Sequence, residues 1–215
     1  IIGHEDVKKL FRMSIVSPKA SHILLEGPPA SGKSLFLLDI ASLPDSYMVL
    51  GGSTSRAGLA EQLFNVKPRY LIIDEIEKFE TNDYSVLLSL MENGVIKEDF
   101  YTRRRTEKLL CNVYAACNSK EDIPLEVLSR FYFKIEFKQY TAEEFILIVE
   151  KLLRKREGVS KRLASYIAKR LSEYTTDVRD AIGIARLAKT KRQVDFLLKI
   201  WENKQDGSKQ NTGRS

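Results

Sequence analysis

Short apolar runs separated by helical stretches occupy the first two thirds of the chain. Residues 23–25, 47–50, 70–73 and 113–117 read as buried strands, and the alternation over 131–137 suits a fifth. Helical spacing fills 35–41, 57–64 and 84–91 between them. Strands that alternate with helices predict βαβ units and an α/β fold, with a parallel sheet covered on both faces. Near Thr141 the period changes. Thr141 and Glu144 stand three apart ahead of an apolar run, a capping-box pattern. From there the periodicity is helical throughout, with four helices expected at 142–156, 160–173, 177–189 and 191–203. The expected organisation is an α/β domain over 1–139, a small all-helical domain over 140–203, and a polar, disordered tail over 204–215.

Composition narrows this little. The 215 residues are 43% hydrophobic and 30% charged, enough to bury a core. No apolar run reaches the roughly 18 residues that span a bilayer, and no basic-then-apolar leader opens the chain. A start at Ile1 instead of methionine is read as a trimmed chain. The expectation is a cytoplasmic protein with no membrane partner. A net charge of +6 permits an anionic partner without requiring one. Cys111 and Cys117 share strand parity and are too far apart to bridge, so two buried, reduced thiols are expected. With His4 and His22 they make no zinc site.

The sharpest chemical signal is Gly27-Pro28-Pro29-Ala30-Ser31-Gly32-Lys33-Ser34. It fits G-x-x-x-x-G-K-[ST] and lies between an expected strand and an expected helix. Such a loop lets backbone N–H groups and the positive end of a helix dipole face an anion. Lys33 is expected on the β- and γ-phosphates and the Ser34 hydroxyl on Mg²⁺. A second signal is the apolar strand that ends in Asp74-Glu75. Ending at the carboxyl edge of a parallel sheet, it places both carboxylates in the ligand crevice. Asp74 is expected to hold Mg²⁺, and Glu75 to act as general base on the attacking water. The expected cofactors are therefore ATP and Mg²⁺, in a P-loop NTPase of three-layer αβα architecture.

Further segments resemble the AAA+ ATPase family, over nearly the whole chain. Ile1-Ile2-Gly3-His4 resembles the segment that lines the adenine pocket, which implies nucleotide contacts from Ile2 and Gly3, joined by Leu35 after the phosphate loop. Tyr114-Ala115-Ala116-Cys117-Asn118 resembles the sensor-1 strand, with Asn118 at its polar position. Leu128-Ser129-Arg130-Phe131 is similar to the segment that carries an arginine finger at Arg130. Arg179, in Thr176-Asp177-Val178-Arg179-Asp180, is similar to the sensor-2 arginine. As residues alone, Arg130 also suits a surface salt bridge, and Arg179 also suits a pair with Asp177 or Glu173. The resemblance implies a lid-like helical domain with ATP at the domain junction. It also implies a ring, most often a hexamer, in which Arg130 reaches a neighbour's nucleotide in trans.

Between the helix ending at Met91-Glu92 and the sensor strand, 94–98 and 108–111 can pair as arms of a hairpin. Its expected tip is Thr102-Arg103-Arg104-Arg105-Thr106. A hairpin here resembles the RuvB, MCM and MoxR branches, and the Leu90-Met91-Glu92 and Leu128–Phe131 segments look most like RuvB. Arg103, Arg104 and Arg105 are candidate contacts to a nucleic-acid backbone. Two departures stand beside this. Ser53–Leu59 lacks the aromatic-aliphatic-glycine signature of protein-threading loops, and no winged-helix-like sequence follows Trp201. DNA remodelling of branch-migration or helicase type is the leading expectation. A nucleotide-gated assembly switch and a MoxR-like protein chaperone are the alternatives.

Overall fold

A computed structural model of the chain describes residues 4–100 and 103–200. The chain divides into two compact units, Ile1–Lys138 and Gln139–Ser215. The first contains α1 (Glu5–Val16), β1 (Ile23–Glu26), α2 (Lys33–Ala41), β2 (Ser46–Leu50), α3 (Arg56–Val66), β3 (Tyr70–Asp74), α4 (Tyr84–Asn93), β4 (Val95–Phe100), β5 (Arg103–Lys108), β6 (Asn112–Cys117), α5 (Leu125–Arg130) and β7 (Phe133–Glu136). Five of the strands form one sheet in the order β2-β3-β6-β1-β7, and every pairing within it is parallel.

The period-2 pattern sorts the strand residues between two cores. Ile23, Leu25, Ile72, Tyr114 and Ala116 face Phe11 of α1 and Phe36, Leu37 and Ile40 of α2. Leu24, Leu71, Ile73, Val113, Ala115 and Cys117 face Leu59 and Leu63 of α3, Leu87 and Leu90 of α4, and Val127 of α5. Two cores on opposite faces of one sheet make the three-layer αβα sandwich that the sequence predicts. Cys111 and Cys117 lie on the same face, both buried and free. Burial pushes each thiol up to about 12, so both are protonated and unreactive at neutral pH.

Helix α1 is not among the elements expected from the sequence. It seats Phe11 in the core, and its Ser14 meets Tyr114 at 2.6 Å through their hydroxyls. At the amino-terminal edge of the sheet His22 is fully enclosed. Its Nδ1 accepts the Val113 N–H at 3.1 Å, and its Nε2 lies 3.1 Å from the Met91 carbonyl. That pair of contacts requires the neutral tautomer with hydrogen on Nε2.

The insert is a hairpin, but its boundaries differ from the expectation. Strands β4 and β5 pair from Val95↔Lys108 to Phe100↔Arg103, so Arg103, Arg104 and Arg105 belong to a strand and not to the tip. Ile96, wholly buried, roots the hairpin in the core. Arg105 stands opposite Glu98 in the register. Its Nε donates to the Glu98 carboxylate at 2.5 Å, its guanidinium also pairs with Glu61 of α3 at 3.4 Å, and it lies 4.2 Å over the Phe64 ring. A charged run reads as a turn in the sequence. Here cross-strand pairing and the cation–π contact hold it as a strand packed on α3.

The second unit is helical: α6 (Ala142–Arg156), α7 (Lys161–Leu171), α8 (Val178–Leu187) and α9 (191–200). Thr141 caps α6 by accepting the Glu144 N–H, and the Glu144 side chain accepts the Thr141 N–H in return. Gly158 follows α6 with φ 64°, the left-handed turn that ends a helix. Phe145, Val149, Leu153, Ala164, Ile167, Leu171, Ala181 and Ala185 fill its core.

Candidate functional site

Because the large sheet is parallel, β1, β3 and β6 end at one edge, with Glu26↔Cys117 and Ile73↔Ala115 in register. The phosphate-loop sequence connects β1 to α2 at that edge. The Gly27 N–H donates to the Cys117 carbonyl at 3.3 Å. A Cβ on Gly27 would sit 2.1 Å from the Phe137 carbonyl oxygen, so only glycine lets the two backbones pass. Ala30 has φ 64° and Gly32 has φ 93°. Left-handed residues in such a loop can turn backbone N–H groups toward one concavity. The first turn of α2 adds donors that have no partner inside a helix.

Lys33 is 6% exposed. Its ammonium donates to the carbonyls of Gly27 at 2.6 Å and Pro28 at 2.8 Å. It also reaches Ser31 Oγ at 3.3 Å and Asn118 Oδ1 at 3.4 Å. Burial pulls its pKa below the usual lysine value, while the Asp74 and Glu77 carboxylates oppose that shift. The loop, Lys33 and Asn118 therefore meet in one cluster. Ser34 is exposed on the first turn of α2 and Asp74 is half-buried at the end of β3.

Glu75 has φ 55° and ψ 47°, a left-handed conformation that a non-glycine residue adopts at a cost. A 3₁₀ turn over Ile76–Lys78 follows it. The turn is pinned from two sides: the Tyr84 hydroxyl donates to the Ile76 carbonyl at 2.8 Å, and Gly51 packs so closely that a Cβ there would meet the Glu75 carbonyl oxygen at 2.1 Å. The Glu75 side chain accepts from Lys78 at 2.7 Å. Gly51 and Glu77 are two site residues that sequence reasoning missed. Glu77 accepts the Asn118 backbone N–H at 2.9 Å through Oε1.

The two candidate arginines each have an acidic partner in their own unit. Arg130 ends α5 and pairs with Glu92 at 3.2 Å, and its Nε is buried without an acceptor. Arg179 is 77% exposed and grips Asp177, with NH2 to Oδ2 at 2.7 Å. Ile2 and Gly3 lie outside the described residues, as do Ile1 and the 204–215 tail. His4 is described, and its ring stacks on Phe137 at 4.7 Å.

Groups of acidic, histidine or cysteine side chains able to hold a metal by themselves are absent among the described residues. Mg²⁺ keeps most of its water and takes only one or two protein ligands. Ser34 and Asp74 supply oxygen donors of that kind.

Solved structures of Thermotoga maritima RuvB share this architecture. One, a point mutant, superposes with a TM-score of 0.71 at 23% identity, covering 93% of this chain and 71% of that one. The fold is that of RuvB. The structure described as the T. maritima RuvB Holliday junction branch migration motor gives 0.69 at 23% identity, covering 93% and 70%. A further RuvB mutant gives 0.64 at 26% identity, covering 86% and 61%. No protein-family model matches the sequence, and no curated protein does. The RuvB-type AAA+ fold thus joins the phosphate-loop sequence, the acidic strand end and the hairpin in one architecture. No helix among the described residues is long and apolar enough to cross a membrane.

Proposed function

We propose that the chain is the ATPase unit of an oligomeric AAA+ machine that remodels DNA. The observation that carries this reading is the convergence of Lys33, Asn118 and the Asp74–Glu77 turn at the carboxyl edge of one parallel sheet. Mg²⁺ bound with ATP would neutralise charge on the phosphates. The loop backbone and Lys33 bind and orient the phosphate chain, with Ile2, Gly3 and Leu35 toward the base. Ser34 and Asp74 are the residues that would hold the ion. Glu75, on its strained turn, orients a water and takes its proton. Asn118 holds a polar contact to Lys33 and to the reacting phosphoryl group.

Arg130 and Arg179 supply guanidinium groups, whose planar fork matches phosphate oxygens. Both are held by acids in the free chain, so action on nucleotide requires exchange of Glu92 and Asp177 for phosphate. Arg130 acts in trans, which makes self-assembly, as a hexameric ring, part of the active site. Arg179 is the candidate guanidinium of the helical unit. The likeness to branch-migration motors supports DNA as the partner, and location in the cytoplasm goes with that role.

A second reading is a nucleotide-gated assembly switch. It is favoured by Arg105, whose guanidinium is engaged by Glu98, Glu61 and Phe64. Arg103 and Arg104 stay with Arg105 as proposed hairpin contacts to a phosphate backbone. Steady-state ATPase rate per subunit against protein concentration, with and without branched DNA, separates the two. A motor predicts a rate that rises with both. A rate that is low, flat and indifferent to DNA would overturn the motor in favour of the switch.

A further inference from the structure

Glu77 lies two residues beyond the expected general base, in the 3₁₀ turn Ile76–Lys78. Its two carboxylate oxygens have different surroundings. Oε1 accepts the backbone N–H of Asn118 at 2.9 Å. Oε2 is buried and finds no hydrogen-bond partner. A buried acceptor left without a donor costs about 1–3 kcal/mol, so packing alone gives no reason for a carboxylate here. The group is also within Coulombic reach of the Lys33 ammonium.

The connections form a line. Glu77 grips the Asn118 main chain, the Asn118 side chain accepts from Lys33 at 3.4 Å, and Lys33 closes onto the phosphate loop through Gly27 and Pro28. Asn118 begins the loop after β6, just past the last residue in register with β1. Its backbone would otherwise be free to choose among loop conformations. The carboxylate ties that loop start to the turn that carries Glu75. The turn itself is fixed by the Tyr84 hydroxyl and by the close approach of Gly51.

We propose that Glu77 is a positioning residue: through the Asn118 N–H it sets the sensor asparagine against Lys33, and so couples the acidic turn to the phosphate loop. This rests on the ATPase reading above. Glu77 acts through Asn118 and performs no chemistry of its own.

The test compares Glu77→Ala, Glu77→Gln, Asn118→Ala and the Glu77→Ala/Asn118→Ala double variant. Three readouts are taken: amide hydrogen exchange at Asn118 in the nucleotide-free protein, the Kd of a fluorescent ATP analogue, and kcat with ATP. Glu77→Ala should speed Asn118 exchange about tenfold, because a closed local hydrogen bond is lost. It should lower kcat about 10- to 100-fold, the scale of a misplacement near 1 Å, and change Kd less than about threefold. Glu77→Gln keeps an acceptor oxygen, so exchange and kcat should stay within about threefold of wild type. In the Asn118→Ala background, Glu77→Ala should add nothing further to the kcat loss.

Unchanged Asn118 exchange in Glu77→Ala, a glutamine variant as impaired as the alanine one, or kcat losses that multiply in the double variant would each overturn the assignment. No turnover in the wild-type chain would instead remove the ATPase reading, and the inference with it; the exchange measurement still reports on the Glu77–Asn118 bond by itself.

Discussion

Gly51→Ala probes the acidic turn without touching a group that meets nucleotide. A Cβ built on Gly51 lies 2.1 Å from the Glu75 carbonyl oxygen, 2.9 Å from its carbon and 3.3 Å from Phe79 Cδ1. Ordinary contact begins near 3.4 Å, so the Glu75 backbone has to retreat by about 1.3 Å or the end of β2 has to shift. Neither is a flexible side-chain tip. Glu75 already occupies a left-handed conformation, which leaves little room to adjust by rotation. Overpacking of this kind costs about 1–3 kcal/mol of stability, and a displacement near 1 Å at a base costs on the order of 100-fold in rate. The neighbouring Gly52→Ala is the control, since its Cβ would meet Lys78 Cδ at 3.4 Å, ordinary contact with a flexible side chain. Purified variants are compared by phosphate-release rate, ATP-analogue affinity and melting temperature. Gly51→Ala should lose about two decades of kcat with affinity within about threefold, and Gly52→Ala should behave as wild type. Equal kcat in the two variants would refute the claim that the Gly51 contact sets the Glu75 geometry.

Four other expectations follow from the structure. Glu75→Gln should bind ATP as wild type does yet lose most turnover, checked by pairing analogue titration with phosphate release; normal hydrolysis would take Glu75 out of the mechanism. Arg105→Ala strands the Glu98 carboxylate, which is only 5% exposed, and should cost about 3 kcal/mol in chemical denaturation; a cost below about 0.5 kcal/mol would mean that the hairpin does not depend on this pair. Burial lowers the pKa of His22 from its ordinary 6.5, so the unfolded chain binds its proton first. The His22 contribution to stability should be fully present above pH 6.5 and decline as pH falls from 6.5 toward the lowered folded value, by at most about 1.4 kcal/mol per pH unit; a His22→Gln variant with the same pH profile would contradict this. Mixing Arg130→Ala with Lys33→Ala subunits should restore part of the activity each lacks, and failure to do so would count against action in trans.

The α/β sandwich was legible because its strands carry strong apolar runs whose alternate residues feed two separate cores. The four helices of the second unit were legible from their apolar periodicity, and Thr141, Glu144 and Gly158 mark the ends of α6 with capping chemistry. Helix α1 carries a readable stripe in Val7, Leu10, Phe11 and Ile15, but the motif at its front drew the reading toward Ile1–His4. The hairpin register was less accessible. In β5 the run Arg103–Lys108 has no apolar alternation, and the pairing of Arg105 with Glu98 and Phe64 exists only once α3 is packed beneath it. The phosphate loop and the acidic strand end were visible because their chemistry is local in sequence. Gly51 and Glu77 were not. One matters through a backbone approach between β2 and the turn after β3, the other through a bond spanning 41 positions to Asn118. Neither leaves a signal in a single sequence.

Mg²⁺-dependent phosphate release from ATP, measured side by side for the wild-type chain and Lys33→Ala, tests the proposed ATPase most directly. The proposed function predicts turnover in the first that vanishes on chelation of the metal, and none in the second, whose loop has lost the ammonium that bridges Gly27, Pro28 and Asn118. Turnover that survives the loss of Lys33, or a wild-type chain that neither binds nor hydrolyses ATP, would contradict it.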